Sequence, residues 1–553
     1  MAKKIEKETK YIFVVGGVIS GVGKGITSSS LALILKNRGL TVTAIKIDPY
    51  INVDAGTMNP TEHGEVFVLE DGDETDQDMG NYERFLDINL SRVNYMTTGR
   101  VYQSVIESER KMEYKGKCVE VVPHIPHEVI RRIKEGGRLA NADIVVVEVG
   151  GTIGEYQNML FLEAARMMKL ANPKDVLFVM VSYLPTPGKV GEMKTKPTQH
   201  AVRALNASGI QPDILIARAD TMLDEKRKEK LSLNCNMAPD RVISAPDVDS
   251  VYDIPLNFEK EKLSDKICGI LNATCKKPDV KSWNAWKNFA KHAHNGKEKV
   301  KIAMVGKYFE TGDFILSDSY LSVIEAIKYS SYANNRKPEI SWLNSVDFEK
   351  DPSKLKDLKK YDGIIVPGGF GARGVEGKLK VAKFARENKI PYLGLCYGMQ
   401  MMVIEYARNV LGLKDANTKE VNPSSKYTVI DIMESQKENI INNRYGGSMR
   451  LGGYKAVLKD GSIAKEAYGK KEVVERHRHR YEVNPLYIEQ LEAKGLVFSG
   501  RSPEGHLMEI AELPRKVHPF YLGTQFHPEF LAHPLHPHPL FSEFIKATIK
   551  NKK

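Results

Sequence analysis

Apolar residues in the first half of the chain fall in short continuous runs, separated by stretches with helical spacing. Residues 11–15 read as a strand that runs into a glycine-rich turn, and residues 41–47 as a second strand. DIVVVEV at 143–149 is a β-branched run of the kind found in strands buried on both faces. Residues 175–183 and 213–217 complete the set, with helices expected at 27–38 and 155–170 between strands. Strand, crossover helix, strand predicts an α/β fold with a doubly wound parallel sheet. The pattern lapses at 273–299, a lysine-rich stretch that reads as a linker with a helix near 283–292. A fresh α/β pattern starts at 300–305 and continues through buried strands at 363–366 and 391–395. Two domains are expected, 1–272 and 300–553.

Composition supports this division. A chain of 553 residues is too long for one core. No run approaches the ~18 apolar residues of a membrane span. The first residues, MAKKIEKETKYIFVV, lack the apolar core and cleavage site of a signal peptide, so a cytosolic protein without a membrane partner is expected. The 5 cysteines are scattered without a CxxC pair, which predicts reduced thiols and neither a disulfide nor a zinc site. The net charge of +11 is diluted by interspersed acids and reads as sites for polyphosphate ligands rather than for nucleic acid.

Residues 16–25, GGVISGVGKG, lie between a strand and a helix. Glycines there let backbone N–H groups approach phosphate oxygens, and the helix N-terminus adds positive potential. Lys24 would reach the β- and γ-phosphates. The spacing is unusual, with five residues between Gly17 and Gly23, and Gly25 stands where a hydroxyl normally meets Mg²⁺. Two acids are candidates for that metal. Glu148 ends a buried strand, where a carboxylate is costly without a cation. Asp78, in EDGDETDQDMG, fits either a ligand or a solvated acidic loop. KTKPTQH at 194–200 puts Lys194 and Lys196 beside Thr198 and Gln199. With Pro197 barring a helix interior, it reads as an extended basic loop for a triphosphate.

The second half carries a nucleophile. Gly394-Leu-Cys396-Tyr-Gly398 follows a buried strand and opens a helix expected at 399–410, the arrangement of a nucleophile elbow with cysteine in place of serine. A helix N-terminus favours the thiolate. Gln525-Phe-His527-Pro-Glu529 supplies a base and its orienter, which completes the logic of a triad. Pro367-Gly-Gly369-Phe-Gly offers backbone donors for an oxyanion. In Arg476-His-Arg-His-Arg480 the arginines share one face of a strand, and Arg480 could clamp a carboxylate. His533, His536 and His538 alternate with prolines and read as a structural loop.

GLCYGMQ and QFHPEF resemble the class I glutamine amidotransferases. That resemblance implies that Cys396 attacks a glutamine amide, His527 shuttles the proton and Glu529 orients His527. It places L-glutamine at Gly369, Tyr397, Gly398, Met399, Gln400, Glu420 and Arg480. KIDPYINVDAGTMNPTEHGEVFVLEDGDETDQDMGNYERF, KTKPTQH and DVDSVY are similar to the CTP synthase family along almost the whole chain. This implies ATP at Gly21, Val22, Gly23, Lys24, Gly25, Ile26, Asp78, Asp247 and Val248, with Mg²⁺ on Asp78 and Glu148. It implies UTP, or inhibitory CTP, at Ser20, Glu155, Gln157, Lys194, Thr195, Lys196, Pro197, Thr198, Gln199 and Lys230. It further implies a homotetramer activated by GTP, phosphorylation of the UTP 4-oxygen, and ammonia carried through the interior. Gln157 stands where the family usually has an acid, and Pro246 where it usually has lysine. Two other readings compete. A cobyric-acid-type amidotransferase would not need KTKPTQH, and a ParA/MinD-like nucleotide switch would leave Cys396, His527 and Glu529 idle.

Overall fold

The computed structural model describes residues 8–188, 191–296, 298–307, 310–311, 314–315, 317–442 and 444–552. Residues 1–7, on which the expectation of no signal peptide partly rests, and Lys297 of the expected linker lie outside the described residues. Two compact units form, one from Met1–Asp54 with Asp78–Ala290, the other from Ala55–Gln77 with Lys291–Lys553. Residues 55–77, grouped by the apolar pattern with the first half, therefore pack in the second unit. The break near residue 290 falls inside a helix.

The first unit is built on β1 (Lys10–Gly17), β2 (Val42–Asp48), β3 (Tyr95–Thr97), β4 (Ile144–Val149), β5 (Val176–Tyr183), β6 (Ile214–Ala219) and β7 (Val242–Pro246). They form one parallel sheet in the order β3-β2-β4-β1-β5-β6-β7. Every residue of β2 and β4 is buried, which explains why they read as unbroken apolar runs. On β1, Val14 pairs with Glu148 on one side and Val179 on the other. The carboxyl ends of these strands share one edge, where open α/β sheets bind ligands. The helices that matter below are α1 (Lys24–Lys36), α2 (Asp78–Leu86), α3 (Met159–Ala171), α4 (Lys196–Ala207), α5 (Leu263–Leu271) and α6 (Val280–Asn295).

Two expectations need correction. KTKPTQH is not an extended loop, because α4 begins at Lys196 with Pro197 in its first turn. A first-turn residue has no intrahelical partner for its N–H, so proline fits there without loss. Nor are all cysteines reduced, since Cys268 and Cys275 form a disulfide. Asn272 caps α5 in the left-handed conformation and turns the chain back, leaving the two Cα atoms 6.3 Å apart. The free thiols are Cys118, Cys235 and Cys396.

The second unit holds β8 (Glu298–Gly306), β9 (Arg336–Asn344), β10 (Gly363–Val366), β11 (Tyr392–Leu395), β12 (Arg450–Leu458), β13 (Glu472–His479), β14 (Val497–Arg501), β15 (Met508–Leu513) and β16 (Tyr521–Thr524). Their order is β9-β8-β10-β11-β16-β15-β14-β12-β13. Pairing is parallel from β9 to β16 and antiparallel beyond it. Helices α7 (Val375–Glu387) and α8 (Tyr397–Asn409) flank the parallel part, and α9 (Pro539–Asn551) ends the unit. Within residues 55–77, Phe67–Val68 and Glu74–Thr75 make a short antiparallel pair. It lies against β13, where Arg476 donates to the Val68 carbonyl (3.1 Å) and Arg478 to Glu74 Oε1 (2.8 Å). The arginine face expected from sequence is thus used to hold this segment. No helix among the described residues is long and apolar enough to cross a membrane.

Candidate active sites

In the first unit β1 ends at Gly17, and the chain loops to Gly23, the N-cap of α1. Gly23 has φ 93°, a left-handed value that a side chain disfavours. Lys24 folds its stem over Gly16 and donates from Nζ to the Gly151 carbonyl (2.8 Å), at the loop following β4. Burial lowers its pKa, against the opposing pull of Glu148 and Asp78.

The question raised by Gly25 has a geometric answer. A Cβ there would stand 2.0 Å from Asp78 Oδ1, at the start of α2. The Asp78 carboxylate therefore occupies the space that a serine or threonine side chain would fill. Behind it Lys46 of β2 bridges two acids, bonding Asp78 Oδ2 and Glu148 Oε1 (2.9 Å). Tyr82 donates to the second oxygen of Glu148. Burial tends to raise both carboxyls. At Asp78 the Lys46 ammonium overcomes this and lowers the pKa, whereas at the deeper Glu148 burial prevails. No cluster of three His, Cys, Asp or Glu side chains suited to a metal occurs among the described residues. Mg²⁺ commonly takes only one or two carboxylates beside phosphates and water, so the Asp78–Glu148 pair fits that demand.

A cavity of about 380 Å³ adjoins the loop, lined by Val22, Gly23, Ile26, Asp247 and Val248. Pro246 also lines it, together with Arg218, which pairs with Asp247 at 2.9 Å. Sequence reading missed Arg218, which bears no motif. The basic segment behaves less uniformly than expected. Lys196 and Lys230 are exposed and Lys194 half-buried, its ammonium on Glu192 (2.7 Å). Thr195, Thr198 and Gln199 are buried. Ser182 donates to Thr198 Oγ1 (2.9 Å), and Gln199 donates to Thr195 Oγ1 (3.1 Å). Thr198 thus ties α4 to the end of β5, while the Gln199–Thr195 bond stays within the start of α4. After β4, Glu155 turns towards Gly151, while Ser20 and Gln157 are exposed.

In the second unit Cys396 sits between β11 and α8 with φ 49° and ψ −98°, the strained turn expected of an elbow. Its neighbours must be glycine. A Cβ on Gly398 would lie 2.1 Å from the Val366 carbonyl oxygen, and one on Gly394 would meet the Gly398 backbone at 2.6 Å. His527 follows β16 and donates from Nδ1 to Glu529 Oε1 at 2.7 Å. Its Nε2 is buried without a hydrogen-bond partner among the described residues. Burial opposes charge on His527, but the Glu529 and Cys396 charges outweigh it and raise the pKa to about 10. Gln525 donates to Cys396 Sγ at 3.6 Å.

A cavity of about 510 Å³ opens on Cys396 and His527 and is walled by Gly368, Gly369, Tyr445 and Arg480. Gly56, Thr57, Pro60 and Glu65 of the segment 55–77 complete the wall, a contribution that no sequence motif announces. Gln400 donates to the Tyr481 carbonyl (2.9 Å), and Met399 packs under Gly523. Tyr397 donates to the Gly371 carbonyl (2.9 Å), and Glu420 Oε1 accepts from the Gly371 N–H (2.6 Å). Arg480 bonds Gln436 (2.9 Å), Ser448 (3.0 Å) and the Tyr445 carbonyl. His538 bonds Glu475 Oε1 at 3.0 Å.

Residues 10–273 match the family model described as CTP synthase N-terminus, and residues 315–547 match glutamine amidotransferase class-I. The chain is 51% identical over 546 residues to a CTP synthase of Thermococcus gammatolerans, covering 98% of this chain and 99% of that one. The chain belongs to the CTP synthase family. A CTP synthase of Halalkalibacterium halodurans is 47% identical, with 98% of this chain and 99% of that protein covered. A solved Trypanosoma brucei CTPS glutaminase domain with bound acivicin is 38% identical, at 46% coverage of this chain, 96% of the other and TM-score 0.42. As a CTP synthase family member the chain is an enzyme, with an N-terminal α/β sheet and a glutaminase-type domain. Its glutaminase unit also holds Lys307 and Lys378 beside Tyr397, neither of which sequence reading singled out.

Proposed function

We propose that the enzyme makes CTP from UTP, driven by ATP, with ammonia taken from glutamine. Likeness to CTP synthases along nearly the whole chain carries the choice of substrates. The geometry of each unit supports its share of the chemistry.

ATP lies with its base in the cavity of Val22, Ile26, Asp247 and Val248. Its phosphates follow the loop from Ser20 through Gly21 to Gly25, with Lys24 at the terminal groups. Asp78 and Glu148 would hold Mg²⁺, which neutralises charge on the phosphates. UTP binds through Glu155, Gln157 and the segment from Lys194 to Gln199, with Lys194, Lys196 and Lys230 as cations for its triphosphate. The γ-phosphoryl group passes to the UTP 4-oxygen, and ADP leaves. Ammonia then attacks C4, and the C4–O bond breaks with release of phosphate. This route converts a poor leaving group into a good one.

Ammonia comes from the second unit. Cys396 Sγ, whose proton His527 already holds, attacks the glutamine amide carbon, and His527 passes that proton to the departing nitrogen. The N–H groups of Gly369 and its neighbour receive the oxyanion. Water, deprotonated by His527, cleaves the thioester to glutamate. Glu420 and Arg480 carry the charges that complement the α-ammonium and α-carboxylate of glutamine.

Regulation and assembly extend this reading. GTP stimulates hydrolysis by ordering residues 370–376, CTP competes with UTP, and the enzyme works as a homotetramer. Arg373 supports the first point, being exposed and without an ion pair among the described residues. The test is UTP amination by the full chain with ATP, Mg²⁺ and either glutamine or ammonia. CTP from both nitrogen sources is expected, and its absence with both would overturn the reading.

A further inference from the structure

Gln525 touches the nucleophile and has no use in the chemistry described so far. It directly follows β16 and is 1% exposed. Its backbone N–H donates to the Glu509 carbonyl of β15 (2.8 Å), so the main chain fixes where the side chain starts. An amide is costly inside a protein unless its ends are bonded, and packing alone would be served better by methionine or leucine.

Hydrogen bonds decide which way that amide faces. Gln400 Nε2 lies 2.9 Å from the Tyr481 carbonyl oxygen, which only accepts, so this end of Gln400 is its N–H end. The same nitrogen reaches Gln525 Oε1 at 3.3 Å. The oxygen of Gln525 therefore faces Gln400, and its Nε2 faces Cys396 Sγ at 3.6 Å. The Arg478 carbonyl oxygen stands 3.8 Å from the same sulfur. These two contacts favour opposite states of the nucleophile. A carbonyl accepts from a thiol, whereas an amide N–H donates to a thiolate.

We propose that Gln525 is a further residue of the glutaminase apparatus, whose amide N–H holds the resting Cys396 as a thiolate against the pull of the Arg478 carbonyl. The inference deepens the glutaminase reading above and rests on Cys396 being its nucleophile. With the thiol proton on His527, the charge is on Sγ, and a hydrogen bond to the charged form favours that form. Nearby charges on the strands are committed elsewhere. Arg478 gives its guanidinium to Glu74 (2.8 Å), and Glu509 gives its carboxylate to His477 and Arg450 (2.7 and 2.8 Å). His527 and Lys378 of α7 are the cations whose charge acts on Cys396, and both stay in place in the variants below.

The experiment follows alkylation of Cys396 by iodoacetamide, in which the sulfur displaces iodide, on the full chain without glutamine. Peptide mass spectrometry separates Cys396 from Cys118 and Cys235, the other free thiols. Only the thiolate reacts, so the ratio of rates at about pH 6 and about pH 8 reads the resting state. In the wild type Cys396 should react almost as fast at the lower pH as at the higher. Gln525→Met keeps the length and loses the N–H. It should lower the ratio by about tenfold to 100-fold, as for loss of a hydrogen bond to a charged group. A packing role would slow the reaction equally at both pH values and leave the ratio alone. Should Gln525→Met fail to fold, Gln525→Leu makes the same test. A wild-type ratio in either folded variant overturns the proposal while the glutaminase reading stands. A wild-type Cys396 that reacts no faster than Cys118 at the lower pH overturns the nucleophile reading and the proposal with it.

Discussion

Gly25 and Asp78 form one feature of this loop, although Asp78 comes 53 positions later in the sequence. Because a Cβ at Gly25 would collide with the Asp78 carboxylate, Gly25→Ala should displace that acid. We expect synthesis to fall by roughly 100-fold or more from glutamine and ammonia alike, as for loss of one transition-state contact. Basal glutamine hydrolysis should persist, and a steady-state comparison of the three rates checks it. Lys24→Ala should behave in the same way. At the elbow, Glu529→Gln removes the partner that keeps His527 charged. Glutamine-driven kcat should drop by about 100-fold to 10,000-fold, in line with triads that lose their orienting acid. The ion pair also leaves a signature in stability. A histidine raised from 6.5 to about 10 stabilises the fold fully below pH 6.5 and loses that contribution as pH rises through about 10. Glu529→Gln should flatten the unfolding free energy over that window. The triad was legible because each part sits in a short motif beside a buried strand. Lys46, Arg218 and Lys378 were not, since a lone lysine or arginine gains meaning only from what the fold sets around it.

Among the elements, the strands were read closely because buried parallel strands are continuous apolar runs. The errors came where local rules have positional exceptions. Pro197 was taken to exclude a helix, yet it opens α4, where its missing N–H costs nothing. Cys268 and Cys275 carry no motif, and their pairing depends on the turn after α5. The segment 55–77 was the largest omission, because its apolar residues are few and its partner lies some 400 positions away. Arg478 and Glu74 hold it with side chains 11% and 1% exposed. Glu74→Ala would strand a buried guanidinium, and a loss of about 3–5 kcal/mol is expected. Thermal unfolding of the full chain measures it. The loop 370–376 makes a different prediction. If it is the element on which GTP acts, Arg373→Ala should lose GTP stimulation of glutamine-driven synthesis while ammonia-driven synthesis is unaffected. Full stimulation in that variant would remove the loop from the regulation and leave the triad untouched.

Two units with separate chemistry make up the chain as a whole. The glycine-rich loop, its neighbouring acids and the basic start of α4 gather on one parallel sheet. The elbow and its histidine gather on the other sheet. The sequence announced this division through a change of pattern near residue 273, though it could not show that residues 55–77 belong with the second unit. Separate sites imply separable activities, and Cys396→Ala tests this most directly. CTP formation is measured with saturating ATP, UTP and Mg²⁺, once with glutamine and once with ammonia. Synthesis from glutamine should disappear, and synthesis from ammonia should stay within about twofold of wild type, as expected for independent sites. Loss of both activities in a folded variant, or survival of the glutamine-driven reaction, would contradict the division of labour between the two units.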